Sequence, residues 1–227
     1  HNPSSLMAAP LPQTVRDGIA NSGQHLSTLQ SQGGLVPQMT TKAGLNDMVQ
    51  ILNTSSLGDS VAKLSQLKNN DPQHYAIWQS NLINSGMDPK VFWFSKQGDD
   101  SHGLADEQIK TYDSFNDPTY MKHAMAQTSV GSEKSLSTIL QSAIPNEMQD
   151  LRESFTTPYS DPQQTESMMS SVQGVLSRLV LQDALDNNKS YKDAASADGK
   201  DLLNSLIKDK YQTTDFGGGH FWSKSVP

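Results

Sequence analysis

Four Asp-Pro pairs, Asp71-Pro72, Asp88-Pro89, Asp117-Pro118 and Asp161-Pro162, punctuate the chain and constrain its fold more than any other feature. Aspartate just before a helix accepts an early backbone N–H. Proline at the next position gives up a donor that has no partner there anyway. Three of the pairs are followed by apolar residues at helical spacing. Tyr75, Trp78 and Leu82 follow the first, ending at Gly86. Met121, Ala124, Met125 and Thr128 follow the third, ending at Gly131. The fourth opens the longest pattern, Met168, Val172, Val175, Leu176, Leu179 and Val180. The pair at Asp88 leads instead into Val91-Phe92-Trp93-Phe94, too short and aromatic to assign by period, and reads as a buried loop segment or a short strand.

Other segments step the same way. Val15, Ile19, Ser22, Leu26 and Leu29 form one face of a helix stopped by Gly33-Gly34. Thr40 or Thr41 can cap a second helix with Leu45, Met48, Val49 and Leu52 inward, and a third starts at Asp59 or Ser60 with Val61, Leu64 and Leu67 inward. Weaker patterns run through Leu104, Ile109, Tyr112 and Phe115, through Leu136, Ile139 and Leu140, through Met148, Leu151 and Phe155, and through Leu202, Leu203, Leu206 and Ile207. No segment alternates as sheet strands would, and no period of 20 to 50 residues recurs. The expectation is an all-α, irregular multi-helix bundle of about eight or nine helices with little or no sheet. Residues 1–12 read as a flexible lead-in, 13–211 as a single helical domain with candidate subdivision points near 158–162 or in the polar stretch 186–200, neither long enough to require two domains, and 212–227 as a Gly/aromatic tail.

Composition narrows function. Leu, Ile, Val and Phe make up about a fifth of the 227 residues, which implies a lean core and long polar surfaces. The net charge of -7, with three Arg, argues against a general nucleic-acid binder, and no apolar run approaches the roughly 20 residues of a membrane span. Without cysteine there is no thiol nucleophile, disulfide or thiolate metal site in this chain. The start at His1-Asn2-Pro3 reads as a processed or trimmed product, with any targeting segment out of view. A surface rich in Ser and uncharged polar residues is associated with exported bacterial proteins, so a secreted or extracytoplasmic location is expected.

The catalytic motifs are weak. Ser60-Val-Ala-Lys63 and Ser205-Leu-Ile-Lys208 match the Ser-x-x-Lys acyl-enzyme pattern, but thirty Ser and fourteen Lys produce about two such matches by chance. Asp186, Asn188 and Ser190 start a calcium-loop spacing that fails at Tyr191 and Ala197, leaving an ordinary polar turn. Asp99, Asp100, Ser101 and His102, with Asp106 and Glu107 beyond, form the densest group of potential ligands or acid–base residues, but no second His lies at ligand spacing. No metal or cofactor is expected. Met121, Met125, Met148, Met168 and Met169 read as core filling. Asn53-Thr-Ser55 and Asn188-Lys-Ser190 fit the glycosylation sequon at about chance frequency.

Two functions compete. The leading expectation is an exported bacterial helical interaction protein, of the effector or secretion-associated type, that binds another protein. Its contact residues are Phe216, His220, Phe221 and Trp222 of the tail, read as aromatics around the glycine hinge at 217–219 that order against a partner; the competing reading is that they close over the protein's own core. The alternative is an all-helical hydrolase of cell-wall or other glycan, with one of Glu107, Glu133, Glu147, Glu153 or Glu166 buried as proton donor.

Overall fold

The computed structural model describes residues 11–21, 37–95, 104–156, 162–207, 212–216 and 219–223. Among them are eleven α-helices and one two-stranded sheet, so the fold is all-α with slightly more helices than the spacing predicts. In chain order they are α1 (Gln13–Ala20), α2 (Lys42–Thr54), α3 (Leu57–Asn70), α4 (Tyr75–Asn84), α5 (Pro89–Phe94), α6 (Leu104–Ser114), α7 (Pro118–Gln127), α8 (Glu133–Ala143), α9 (Pro145–Phe155), α10 (Pro162–Asp186) and α11 (Tyr191–Ile207). A 3-10 turn, Pro72–His74, precedes α4, and strands β1 (Gln212–Phe216) and β2 (Gly219–Ser223) close the described chain.

These elements form two compact units. One holds α1 to α5 and the strands, the other α6 to α11. The helices on either side of 158–162, α9 and α10, belong to the same unit. The chain leaves the first unit after α5 and returns to it with β1, so the second unit is an insertion into the first.

In the first unit α4 is the central element. Eight of its ten residues are buried, polar Gln79, Ser80 and Asn81 among them. Asn81 fixes the approach to α2: its amide donates to the Pro37 carbonyl at 2.8 Å and its Oδ1 accepts from the Met39 N–H at 2.8 Å. The approach of α1 depends on Gly18, because a Cβ there would run into the Met39 carbonyl oxygen and crowd Thr40 and Trp78. Thr40 Oγ1 donates to the Thr14 carbonyl at 2.8 Å.

Helix starts follow cap chemistry more closely than apolar spacing does. Thr41 caps α2 by accepting from Gly44 N–H. Ser56 caps α3 by accepting from Asp59 N–H, so that helix begins at Leu57, before the predicted Asp59 or Ser60. The aromatic run after Asp88 is neither loop nor strand. It is the helix α5, with Asp88 accepting from Lys90 N–H and Val91, Phe92, Trp93 and Phe94 all buried. Cap and proline therefore outweigh the strand preference of four bulky residues.

The second unit is arranged around α10, the longest helix, in which Val172, Leu176 and Leu179 are buried as the spacing predicts. Met121, Met148, Met168 and Met169 are buried beside them and Met125 is half-buried, so the methionines fill core. α11 begins well before its predicted Leu202 to Ile207 stripe, because Ser190 caps it and Tyr191, Ala194 and Ala195 are buried. Small alanines carry little apolar signal in sequence but let helices approach closely. Between α10 and α11 the chain turns through Asn188 at φ 53°, the left-handed C-terminal position Asn tolerates, with Lys189 N–H returning to the Ala184 carbonyl. Tyr191 anchors that junction, its N–H on the Thr128 carbonyl and its hydroxyl on the Leu136 carbonyl, both at 2.9 Å.

Candidate functional site

The tail residues singled out as contacts fall on the two strands. β1 and β2 pair antiparallel, with Phe216 opposite Gly219, Asp215 opposite His220, Thr214 opposite Phe221 and Thr213 opposite Trp222. The tail is paired strand on either side of Gly217 and Gly218, and these two hinge positions lie outside the described residues. A Gly-Gly pair between two short segments is a two-residue hairpin signal, and here it separates positions 216 and 219. In this register Phe216 and Phe221 share one parity of the pleat, and His220 and Trp222 share the other. β2 runs beside α4 within the first unit.

A second group lies at the start of α4. Asp71 is expected to cap this helix, but its carboxylate accepts no backbone N–H there. It accepts instead from Trp78 Nε1 at 2.9 Å, and its other oxygen lies 2.8 Å from His74 Nδ1. A carboxylate can only accept, so Nδ1 carries the proton and Nε2 is the imidazole nitrogen left for chemistry. Asp71 is 7% exposed and the His74 side chain 15%. Such a pair orients an imidazole as an acid–base dyad does. Its spacing, Asp-x-x-His-x-x-x-Trp, is readable in the sequence, but only the 3-10 turn brings the three groups together.

The remaining candidates are not assembled into a site. Ser60 Oγ donates to the Leu52 carbonyl at 2.6 Å, and Ser205 Oγ donates to the Leu202 carbonyl at 2.7 Å while accepting from Gln108. Neither hydroxyl proton is directed to the lysine of its motif. Burial pulls the Lys63 ammonium below its ordinary range. Asp99, Asp100, Ser101 and His102 lie outside the described residues, and Asp106 and Glu107 sit exposed in the first turn of α6, where carboxylates suit the helix dipole. Asn53 bridges a loop, donating to the Gly86 carbonyl and accepting from Asp88 N–H. Of the five Glu, Glu147 is half-buried and the other four exposed, so the buried proton donor that a glycan hydrolase of this kind requires is not found. Among the described residues no group of three or more His, Asp or Glu converges as metal ligands would, and no helix is long and apolar enough to cross a membrane.

The second unit also holds a carboxylate pair that no sequence motif marks. Asp183, near the end of α10, meets Asp198 of α11. Desolvation first, and then the neighbouring Asp198, push the Asp183 carboxyl up to about 6. Burial also raises the phenols of Tyr75 and Tyr191. In comparison with known proteins, no family model, no curated protein and no solved structure matches this chain.

Proposed function

We propose that this chain is an exported bacterial helical protein, of the effector or secretion-associated type, that acts by binding another protein through its C-terminal hairpin. The supporting observation is the strand register. A two-stranded ribbon has two faces, and aromatic residues occupy both parities, Phe216 and Phe221 on one, His220 and Trp222 on the other. If one face serves the protein's own fold beside α4, the other still offers aromatic anchors of the kind that dominate protein interfaces. The outer edge of such a ribbon also offers backbone groups for strand addition. The absence of cysteine and the thirty serines support export.

Paired double variants test the reading: Phe216→Ala with Phe221→Ala, and His220→Ala with Trp222→Ala. Partners captured from the producing or target cell are purified, and their affinity is measured for both variants and the parent chain. The expected result is a parental melting temperature with at least tenfold weaker binding in one variant. Equal affinity in all three proteins would remove the hairpin from the interface.

A further inference from the structure

We infer that Asp183 and Asp198 share one proton between α10 and α11, making an acid-dependent latch that loosens as the pH rises toward neutral. The carboxylate geometry is unbalanced without that proton. Asp183 Oδ1 accepts from Asn187 Nδ2 at 3.1 Å, whereas Oδ2 is shielded from solvent and has no donor. A buried acceptor left without a donor is costly, and two adjacent ionised carboxylates repel. One proton removes both penalties by turning the contact into a carboxylic acid–carboxylate hydrogen bond, which belongs to the strong, charge-assisted class.

The surrounding charges decide which residue holds the proton. Lys189, in the turn between the helices, places Nζ 3.8 Å from Asp198 Oδ2 and so favours Asp198 as the ionised acceptor. Asp186, one turn further along α10, adds negative charge and disfavours ionisation of Asp183. Lys189 opposes this, but its side chain and that of Asp198 are both more than a third exposed, so solvent screens the attraction. No other charged group contributes appreciably to the Asp183 carboxyl.

The direction of the pH effect follows. The Asp183 carboxyl is raised in the folded chain to about 6, against about 3.9 in an unfolded chain. Between those values the folded state holds more protons than the unfolded state, so stability falls as pH rises through this window. Below it both states are protonated, above it neither is, and the slope vanishes at each end.

The experiment uses the full chain. Carbon-13 carboxyl NMR follows the titration of Asp183, and melting temperature is recorded from pH 4 to 8 for the parent, Asp183→Asn and Asp198→Asn. Expected are an Asp183 midpoint well above the ordinary carboxylate range, and a parental melting temperature that drops as pH rises. Asp183→Asn is expected to flatten that drop and to melt higher than the parent at pH 7.5, because an amide supplies the donor permanently. An Asp183 midpoint in the ordinary aspartate range would overturn the inference. So would an Asp183→Asn protein that keeps the parental pH profile. The NMR titration of the parent decides the matter even if a variant fails to fold.

Discussion

α4 and α10 are each the central helix of their unit, and they are buried in different ways. α4 has ten residues, and its buried positions run through Ile77, Trp78, Gln79, Ser80, Asn81, Leu82 and Ile83 without a break, so it has hardly any solvent face. α10 has 25 residues; its exposed positions fall in 162–170 and at Asp186, and between Val172 and Leu181 it is buried except at the half-buried Gly174 and Arg178. Directed polar contacts fix the position of α4: Asn81 holds residues 37 and 39, and Asp71 holds Trp78. α10 also makes directed contacts, Thr165 donating to the Phe155 carbonyl and Gln182 accepting from the Tyr120 hydroxyl, but most of its buried positions are apolar and pack over its whole length. A short helix surrounded on all sides has no amphipathic direction to orient it, so hydrogen bonds take over that role; a long helix spreads the task over many packed side chains.

The largest test of this contrast sets Trp78→Ala against Leu176→Ala. Both side chains are fully buried, and truncation should cost about 3–5 and about 2–5 kcal/mol respectively. Hydrogen exchange should show the loss of protection in 37–95 for the first and in 104–207 for the second. Protection lost equally in both units would mean that they unfold as one.

A sharper test compares buried amides. Asn81→Ala strands the Met39 N–H and the Pro37 carbonyl, at about 1–3 kcal/mol for each orphaned group. Gln173 makes only a long contact of 3.9 Å with Met148 Sδ, so Gln173→Met should be nearly neutral, because nothing polar is left unpaired. Denaturant midpoints of the two variants that coincide would erase the distinction between a bonded and a packed helix.

The smallest test uses two of the Asp-Pro starts. Asp117 caps α7, accepting from Thr119 N–H at 2.9 Å, and Asp117→Ala should cost about 1 kcal/mol. Asp71 has a different role, so Asp71→Ala should cost about 1–3 kcal/mol, because it leaves the buried Trp78 indole N–H without an acceptor. Thermal melts of equal depression would mean that Asp71 behaves as a cap after all.

These cases mark how far the sequence could be read. Local rules located most helices: Asp117 and Thr41 cap as expected, and the stripe from Met168 to Val180 is the core of α10. Local rules failed where geometry intervened. Asp71 looks like Asp117 in sequence, but the 3-10 turn carries its carboxylate to side chains instead of backbone. Residues 191–201 carry little apolar signal in sequence, because Ala194, Ala195 and Gly199 do much of the packing there beside Tyr191. The hairpin was missed because Gly217-Gly218 is equally consistent with a hinge. Of the candidate sites, the hairpin residues could be chosen from their composition. The Asp183–Asp198 pair could not, since fifteen positions separate the two residues and only the turn at Asn188 brings them together.

The insertion of one unit into the other has a consequence for synthesis. Residues 212–223 leave the ribosome after the whole of 104–207. When α4 emerges, the strand that will lie beside it has not been made, while every helix of the second unit is available before that strand appears. The order of emergence therefore favours completion of the inserted unit first. Throughout that interval the nascent chain carries a largely apolar helix uncovered on the side β2 will later occupy, a stage at which a chaperone would have its best target.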